Sequence, residues 1–182
     1  MNYKTEVFMV KKIFWAITIF IFMLVFTDAA CAASGPRVFP AFSSETLDGK
    51  AVNVDIFLDK KLTMINIWTT WCPPCVAEMP DLGNMGRSMP DGSQLIGIIL
   101  DVDGPGDTDT IGEAKRILSK ANADFVQIFP SKEMEPVLKT VRAIPTTIFV
   151  DSAGKIVGTP LVGARDEKTY RAEVEKLLSS AQ

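Results

Sequence analysis

The chemistry in this chain is concentrated at Cys72 and Cys75, in the run WTTWCPPCVAEMP from Trp68 to Pro80. The 182 residues contain three cysteines and no histidine. Without imidazole there is no Ser-His-Asp or Cys-His catalytic pair, no histidine metal ligand and no histidine for a haem. Two thiols at this spacing leave three uses. A structural zinc normally takes four Cys or His ligands, and only these two thiols are at hand. A purely structural disulfide would close so short a loop that it stabilises little, because the gain grows with loop length. Thiol–disulfide exchange is the third use. No metal and no cofactor is expected.

The residues around the pair bear on exchange. Proline is favoured at the first position of a helix, so Pro73 and Pro74 predict a helix that starts just after Cys72 and leave Cys72 as its N-cap. A sulfur there sits at the positive end of the helix dipole, which favours thiolate over thiol. Cys75, one turn on, can attack a mixed disulfide formed at Cys72 and expel the partner. Pro74 has no amide hydrogen, so of the usual N-cap donors only the Cys75 amide remains. The thiolate is therefore held less strongly than in a strong oxidase, and a moderate to low potential is expected. Trp71 is expected to shield the sulfurs and line a substrate surface, and Trp68 to be core.

These residues need a scaffold. The spacing of apolar residues predicts a short hairpin around Asp48-Gly49, then a buried strand Leu62–Trp68 leading into the cysteines. Pro80 is expected to kink or break the helix that follows. Further strands are expected at Ser93–Asp103, Phe125–Phe129 and Thr146–Val150, with Ile156–Val162 as an edge strand interrupted by Gly158 and Pro160. Helices are expected at Ile111–Ala121, Met134–Val141 and Asp166–Leu178, the last with Tyr170, Val174, Leu177 and Leu178 on its apolar side. Alternating strands and helices with a terminal hairpin imply an α/β fold, a sheet covered on both faces.

The N-terminal residues read differently. Lys4, Lys11 and Lys12 precede the uncharged run Ile13 to Phe26, which is shorter than the roughly 20 apolar residues of a comfortable membrane span. Ala30-Cys31-Ala32 follows, completing the layout of a signal peptide. Residues 1–32 are thus expected to be a signal peptide or, uncut, an N-terminal anchor. Lipidation at Cys31 is a further alternative, against which Asp28 stands. Residues 33–40, with glycine and prolines, read as an exposed lead-in, and 41–182 as the domain. All versions place the domain outside the cytoplasm. The full chain carries 19 basic and 22 acidic residues, a net charge of −3 without a basic stripe, so nucleic acid is not an expected partner.

WCPPCVAEMP after a buried strand, with RAIPTTIFVDSAGKIV about seventy residues later, resembles the thioredoxin superfamily and, more narrowly, the extracytoplasmic TlpA/ResA-like thiol-disulfide oxidoreductases. The resemblance covers roughly Phe39 to Leu178. It implies a thioredoxin-like fold, with a central mixed sheet, helices on both faces and a short N-terminal hairpin. It implies Cys72 as the attacking thiol and Cys75 as the resolving one. Ile144-Pro145 is implied to be a cis bond whose loop, with Thr146, offers backbone groups to an extended substrate; otherwise Pro145 merely starts a strand. Thioredoxins proper carry an aspartate in the strand before the motif, where this chain has Asn66. The ResA-like branch has instead a glutamate three residues after the second cysteine, and Glu78 occupies that place. One turn beyond Cys75, its carboxylate is placed to face the buried sulfur and take its proton, unless it is an exposed glutamate stabilised by the helix dipole.

The partners so implied are disulfide-containing exported proteins and a membrane electron donor of the CcdA/DsbD type, with the chain a monomer. Reduction of protein disulfides, as in cytochrome c maturation or repair of exported proteins, is the expected direction, with a disulfide-introducing DsbA-like role as the alternative. Thr69 stands to Cys72 as a peroxiredoxin threonine does to its cysteine, but Ile65 replaces the proline that pattern wants. Copper delivery of the Sco type needs a CxxxC and a histidine, leaving only a two-thiolate Cu(I) site to consider.

Overall fold

The computed structural model describes residues 38–180, all within the compact unit Gly35–Gln182. The readings for residues 1–32, and most of the lead-in, lie outside the described residues.

Strand β1 (Ser43–Glu45) pairs antiparallel with β2 (Ala51–Asn53) across the turn at Asp48-Gly49, where Gly49 has φ 76°. That conformation favours a residue without a Cβ. A 3-10 turn, Val54–Phe57, leads to β3 (Leu62–Trp68), whose seven residues are all buried. Helix α1 (Pro73–Arg87) returns the chain to β4 (Ser93–Ile99), and α2 (Thr108–Lys120) carries it to β5 (Val126–Ile128). A 3-10 turn at Lys132–Met134 runs into the one-turn helix α3 (Glu135–Leu138). β6 (Thr146–Asp151), β7 (Ile156–Val162) and α4 (Glu167–Ser180) complete the order.

The main sheet is ordered β5-β4-β3-β6-β7, with β4 parallel to β3 and to β5, and β6 antiparallel to both β3 and β7. The two parallel crossovers step the same way across the sheet, so α1 and α2 share a face, as right-handed crossovers require. On that face Met64 and Trp68 pack with Met79 and Leu82 of α1, Ala114 and Ile117 of α2, and Tyr170 and Val174 of α4. Ile65, Ile67, Ile96 and Ile148 point the other way, onto Phe39, Phe42, Phe57, Met134 and Val137. Both faces of the central strands are covered, which is why β3 reads as an unbroken apolar run instead of an alternating one.

Several expectations need correction. α1 runs unbroken from Pro73 to Arg87 with Pro80 inside it, so of the two outcomes expected at that proline the break does not occur. β4 ends at Ile99; Leu100 still donates its amide to Trp68 O at 2.9 Å, but Asp101 turns toward the cysteine loop. α2 begins at Thr108, three residues early, because the Asp107 side chain caps it by accepting from the Thr110 amide at 3.2 Å. The helical stretch at 132–138 stops before Val141. Phe39, read as exposed lead-in, is buried edge-to-face against Phe42 and Phe57, with its amide bonded to Gly154 O.

Candidate functional site

Cys72 and Cys75 form a disulfide with a Cα–Cα distance of 5.2 Å, at the junction of β3's C-terminal end and the start of α1. Cys72 is the N-cap, in extended conformation, and its Sγ accepts the Cys75 amide at 3.3 Å. Pro73 and Pro74 occupy the first two helical positions, so the sulfur has that one backbone donor, as expected from the motif. Both prolines are exposed. Cys72 is 3% exposed and Cys75 is fully buried, which gives the two sulfurs unequal access to a partner.

Two features fix the loop before the helix. Trp68 is fully buried, its indole Nε1 donating to Gln127 Oε1 at 3.0 Å. Gly97 makes room for Gln127, since a Cβ at residue 97 would lie 1.9 Å from that same oxygen. Asp101 then accepts the Thr70 amide through both carboxylate oxygens at 3.1 Å and the Thr70 hydroxyl at 2.5 Å. This pins Thr70 between the two tryptophans and leaves Trp71 70% exposed beside the disulfide. The polar anchor at Asp101 was missed in the sequence. It lies 31 residues away, and no local pattern pairs it with Thr70.

The second loop precedes β6, at the same end of the sheet as the cysteines. The Ile144-Pro145 bond is cis, with Ile144 half-buried and Pro145 buried. Ile144 O lies 3.8 Å from Cys72 Sγ. Thr146, buried at the start of β6, donates its hydroxyl to Ala143 O at 2.6 Å, and Pro145 O accepts the Gly163 amide at 2.8 Å. Antiparallel pairing of β6 with β3 is what carries residues 144–146 to the level of the cysteines.

Glu78 is buried, at 2% exposed, and not on the helix surface. Its Oε1 accepts Asn66 Nδ2 at 2.9 Å, and its Oε2 accepts Tyr170 Oη at 2.8 Å and the Arg165 amide at 3.0 Å. Cys75 and Glu78 stand three apart on α1, a spacing at which helix side chains are neighbours. Burial pushes the carboxyl above its ordinary value; the hydrogen bonds from Tyr170, Asn66 and Arg165 pull the other way and do not cancel it. Glu78 is also among the residues lining a surface groove of about 410 Å3, together with Asp81, Arg165 and Thr169. Tyr170 and Arg165 were not foreseen as partners of Glu78, since they lie 92 and 87 residues away and Tyr170 reads as an ordinary core aromatic. Among the described residues there is no cluster of three or more metal-ligating side chains.

A sheet of this order with a paired dithiol capping the first crossover helix defines the class: a thioredoxin-fold thiol-disulfide oxidoreductase. The chain belongs to the Redoxin family, whose model matches residues 33–178. It is 28% identical over 154 residues to the thiol:disulfide interchange protein HelX of Rhodobacter capsulatus, covering 84% of this chain and 81% of that one. It is 26% identical over 133 residues to the thiol-disulfide oxidoreductase ResA of Halalkalibacterium halodurans, covering 72% of this chain and 70% of that one. In fold, it is similar to a thioredoxin family thiol:disulfide interchange protein from Chlorobium tepidum, with a TM-score of 0.63 at 23% identity over 80% of this chain and 98% of that one.

Proposed function

We propose that this protein is an extracytoplasmic thiol–disulfide oxidoreductase that reduces disulfides in exported proteins, with Cys72 attacking and Cys75 resolving. The observation that carries this reading is the position of Cys72 Sγ. It caps α1, accepts the Cys75 amide at 3.3 Å and lies 3.8 Å from Ile144 O of the cis-proline loop. In the reduced protein the Cys72 thiolate attacks one sulfur of a substrate disulfide, forming a mixed disulfide and releasing the first substrate thiolate. Cys75 then loses its proton to the Glu78 carboxylate. The new thiolate attacks Cys72 Sγ, the Cys72–substrate bond breaks, and the second substrate thiolate leaves. The substrate is thereby reduced by two electrons and the Cys72–Cys75 bond forms. The proton on Glu78 reaches solvent through the groove beside Arg165.

An extended substrate segment lies against exposed Trp71 and the backbone of the loop Ile144, Pro145 and Thr146, with exposed Pro73 and Pro74 at the rim. Residues 1–32 act as signal peptide or anchor and 33–40 lead into the domain of 41–182, with Phe39 already in its core. A membrane donor of the CcdA/DsbD type regenerates the dithiol of the monomeric protein. Cytochrome c maturation is one use of such a reductant.

The reductive direction is supported by the single amide donor on Cys72, which stabilises the thiolate, and with it the reduced form, less than a full cap would. Equilibration of the purified protein with glutathione redox buffers tests this. A reductase has a potential below about −180 mV, whereas a value near −120 mV, that of a strong periplasmic oxidant, contradicts the reading.

A further inference from the structure

We infer that Tyr170, far from the cysteines in sequence, is a positioning residue for exchange: its hydroxyl orients the Glu78 carboxylate and holds it ready to accept the Cys75 proton. The inference rests on the role proposed above for Glu78. It comes from a closed ring of hydrogen bonds joining four elements. Asn66 Nδ2 of β3 donates to Glu78 Oε1 at 2.9 Å and to Thr147 Oγ1 of β6 at 3.2 Å. Thr147 Oγ1 donates to Tyr170 Oη of α4 at 3.4 Å, and Tyr170 Oη donates to Glu78 Oε2 at 2.8 Å. None of the four side chains is more than 2% exposed.

The direction of these bonds matters. All of them run toward the carboxylate, so the ring is satisfied when Glu78 is ionised and loses a bond when it is protonated. A ring of donors around a buried carboxylate opposes the cost of burying its charge and keeps it competent as a base. Tyr170 remains a donor throughout, because burial, reinforced by the Glu78 carboxylate, pushes its own ionisation upward from 10.0. Asn66 Oδ1 is buried with no partner among the described residues. Rotation of that amide turns this spare acceptor toward a protonated Glu78, giving the ring a second arrangement for the state that holds the proton. The other charged groups near Glu78 are the Arg165 guanidinium, Asp81 on α1 and Asp166 before α4, which share its groove. None of them takes part in the ring.

A Phe at 170 would keep the ring packed among Met79, Phe149 and Val174 and delete only the donor. The test uses the reduced protein carrying Cys31→Ser and the aromatic disulfide DTNB. One thionitrobenzoate is released when Cys72 attacks, and a second when Cys75 resolves the mixed disulfide. The pH dependence of the second release, followed by stopped flow, reports the coupled titration of Cys75 and Glu78. Tyr170→Phe is expected to move its lower midpoint up by about one pH unit, since a hydrogen bond to a charge has been lost. Thr147→Val, which removes the support behind the tyrosine hydroxyl, moves it the same way by less. Glu78→Gln replaces the limb by the titration of Cys75 alone, and Tyr170→Phe/Glu78→Gln then matches Glu78→Gln. A midpoint unmoved in both Tyr170→Phe and Thr147→Val, while Glu78→Gln alters the profile, overturns the inference and leaves Glu78 as the base. A profile unmoved by Glu78→Gln removes that base and the inference with it. A double variant that departs from Glu78→Gln shows that Tyr170 acts by packing, and also overturns it.

Discussion

Glu78 shows how a single buried carboxyl is tuned between stability and chemistry. Its folded-state pKa lies above the ordinary 4.5 because burial raises it more than three hydrogen bonds lower it. For a carboxyl raised on folding, the folded state binds the proton more tightly than the unfolded chain does. The stabilisation this provides is fully present below the ordinary value and is lost as pH rises through the folded one. Glu78→Gln, which cannot ionise, is therefore expected to gain in thermal stability relative to the unaltered protein as pH is raised from about 4 to 7. Parallel melting curves across that range check it, and a difference that stays constant contradicts the burial cost assigned to Glu78. That glutamate's place one turn after Cys75 was legible in the motif. Its burial and its partners were not, because hydrogen bonds spanning 92 and 87 residues leave no trace in a local window.

At the scale of elements, the N-terminus of α1 sets the redox character. Prolines at its first two positions fix the helix start and remove one of the donors a capping sulfur would otherwise collect. Pro74→Ala restores an amide beside Cys72 Sγ, stabilises the thiolate and hence the reduced form, and is expected to raise the reduction potential by about 30–60 mV. Titration against glutathione measures it; an unchanged or lowered potential contradicts the account of the cap. This element was readable because proline chemistry is local, as was the Asp48-Gly49 hairpin. Element boundaries were less so. The strand expected from the sequence continues to Asp103, yet β4 stops at Ile99 because Asp101 is drawn off to hold Thr70, a tertiary demand that overrides strand propensity. α2 starts early because Asp107 offers a cap inside a stretch that reads as a polar loop.

For the whole molecule, the sheet order brings three distant segments to one point. β3 delivers the cysteines, β4 the aspartate that fixes the loop before them, and β6 the cis-proline loop against Cys72. The apolar runs made the strands and the layered class legible, since their burial pattern follows directly from sequence. The approach of residue 144 to residue 72 was legible only through the family resemblance, whereas the pairing of Asp101 with Thr70 and of Tyr170 with Glu78 depends on strand register and helix packing, which the separate segments do not declare.

Unequal roles for the two sulfurs are the claim on which everything else depends, and single-cysteine variants in a Cys31→Ser background address it most directly. Mixed with DTNB at neutral pH, Cys75→Ser should release one thionitrobenzoate as fast as the first release of the dithiol protein and keep the other as a stable adduct on Cys72. Cys72→Ser, left with the fully buried sulfur, should react far more slowly. Equal rates for the two variants, or a faster Cys72→Ser, would contradict the assignment.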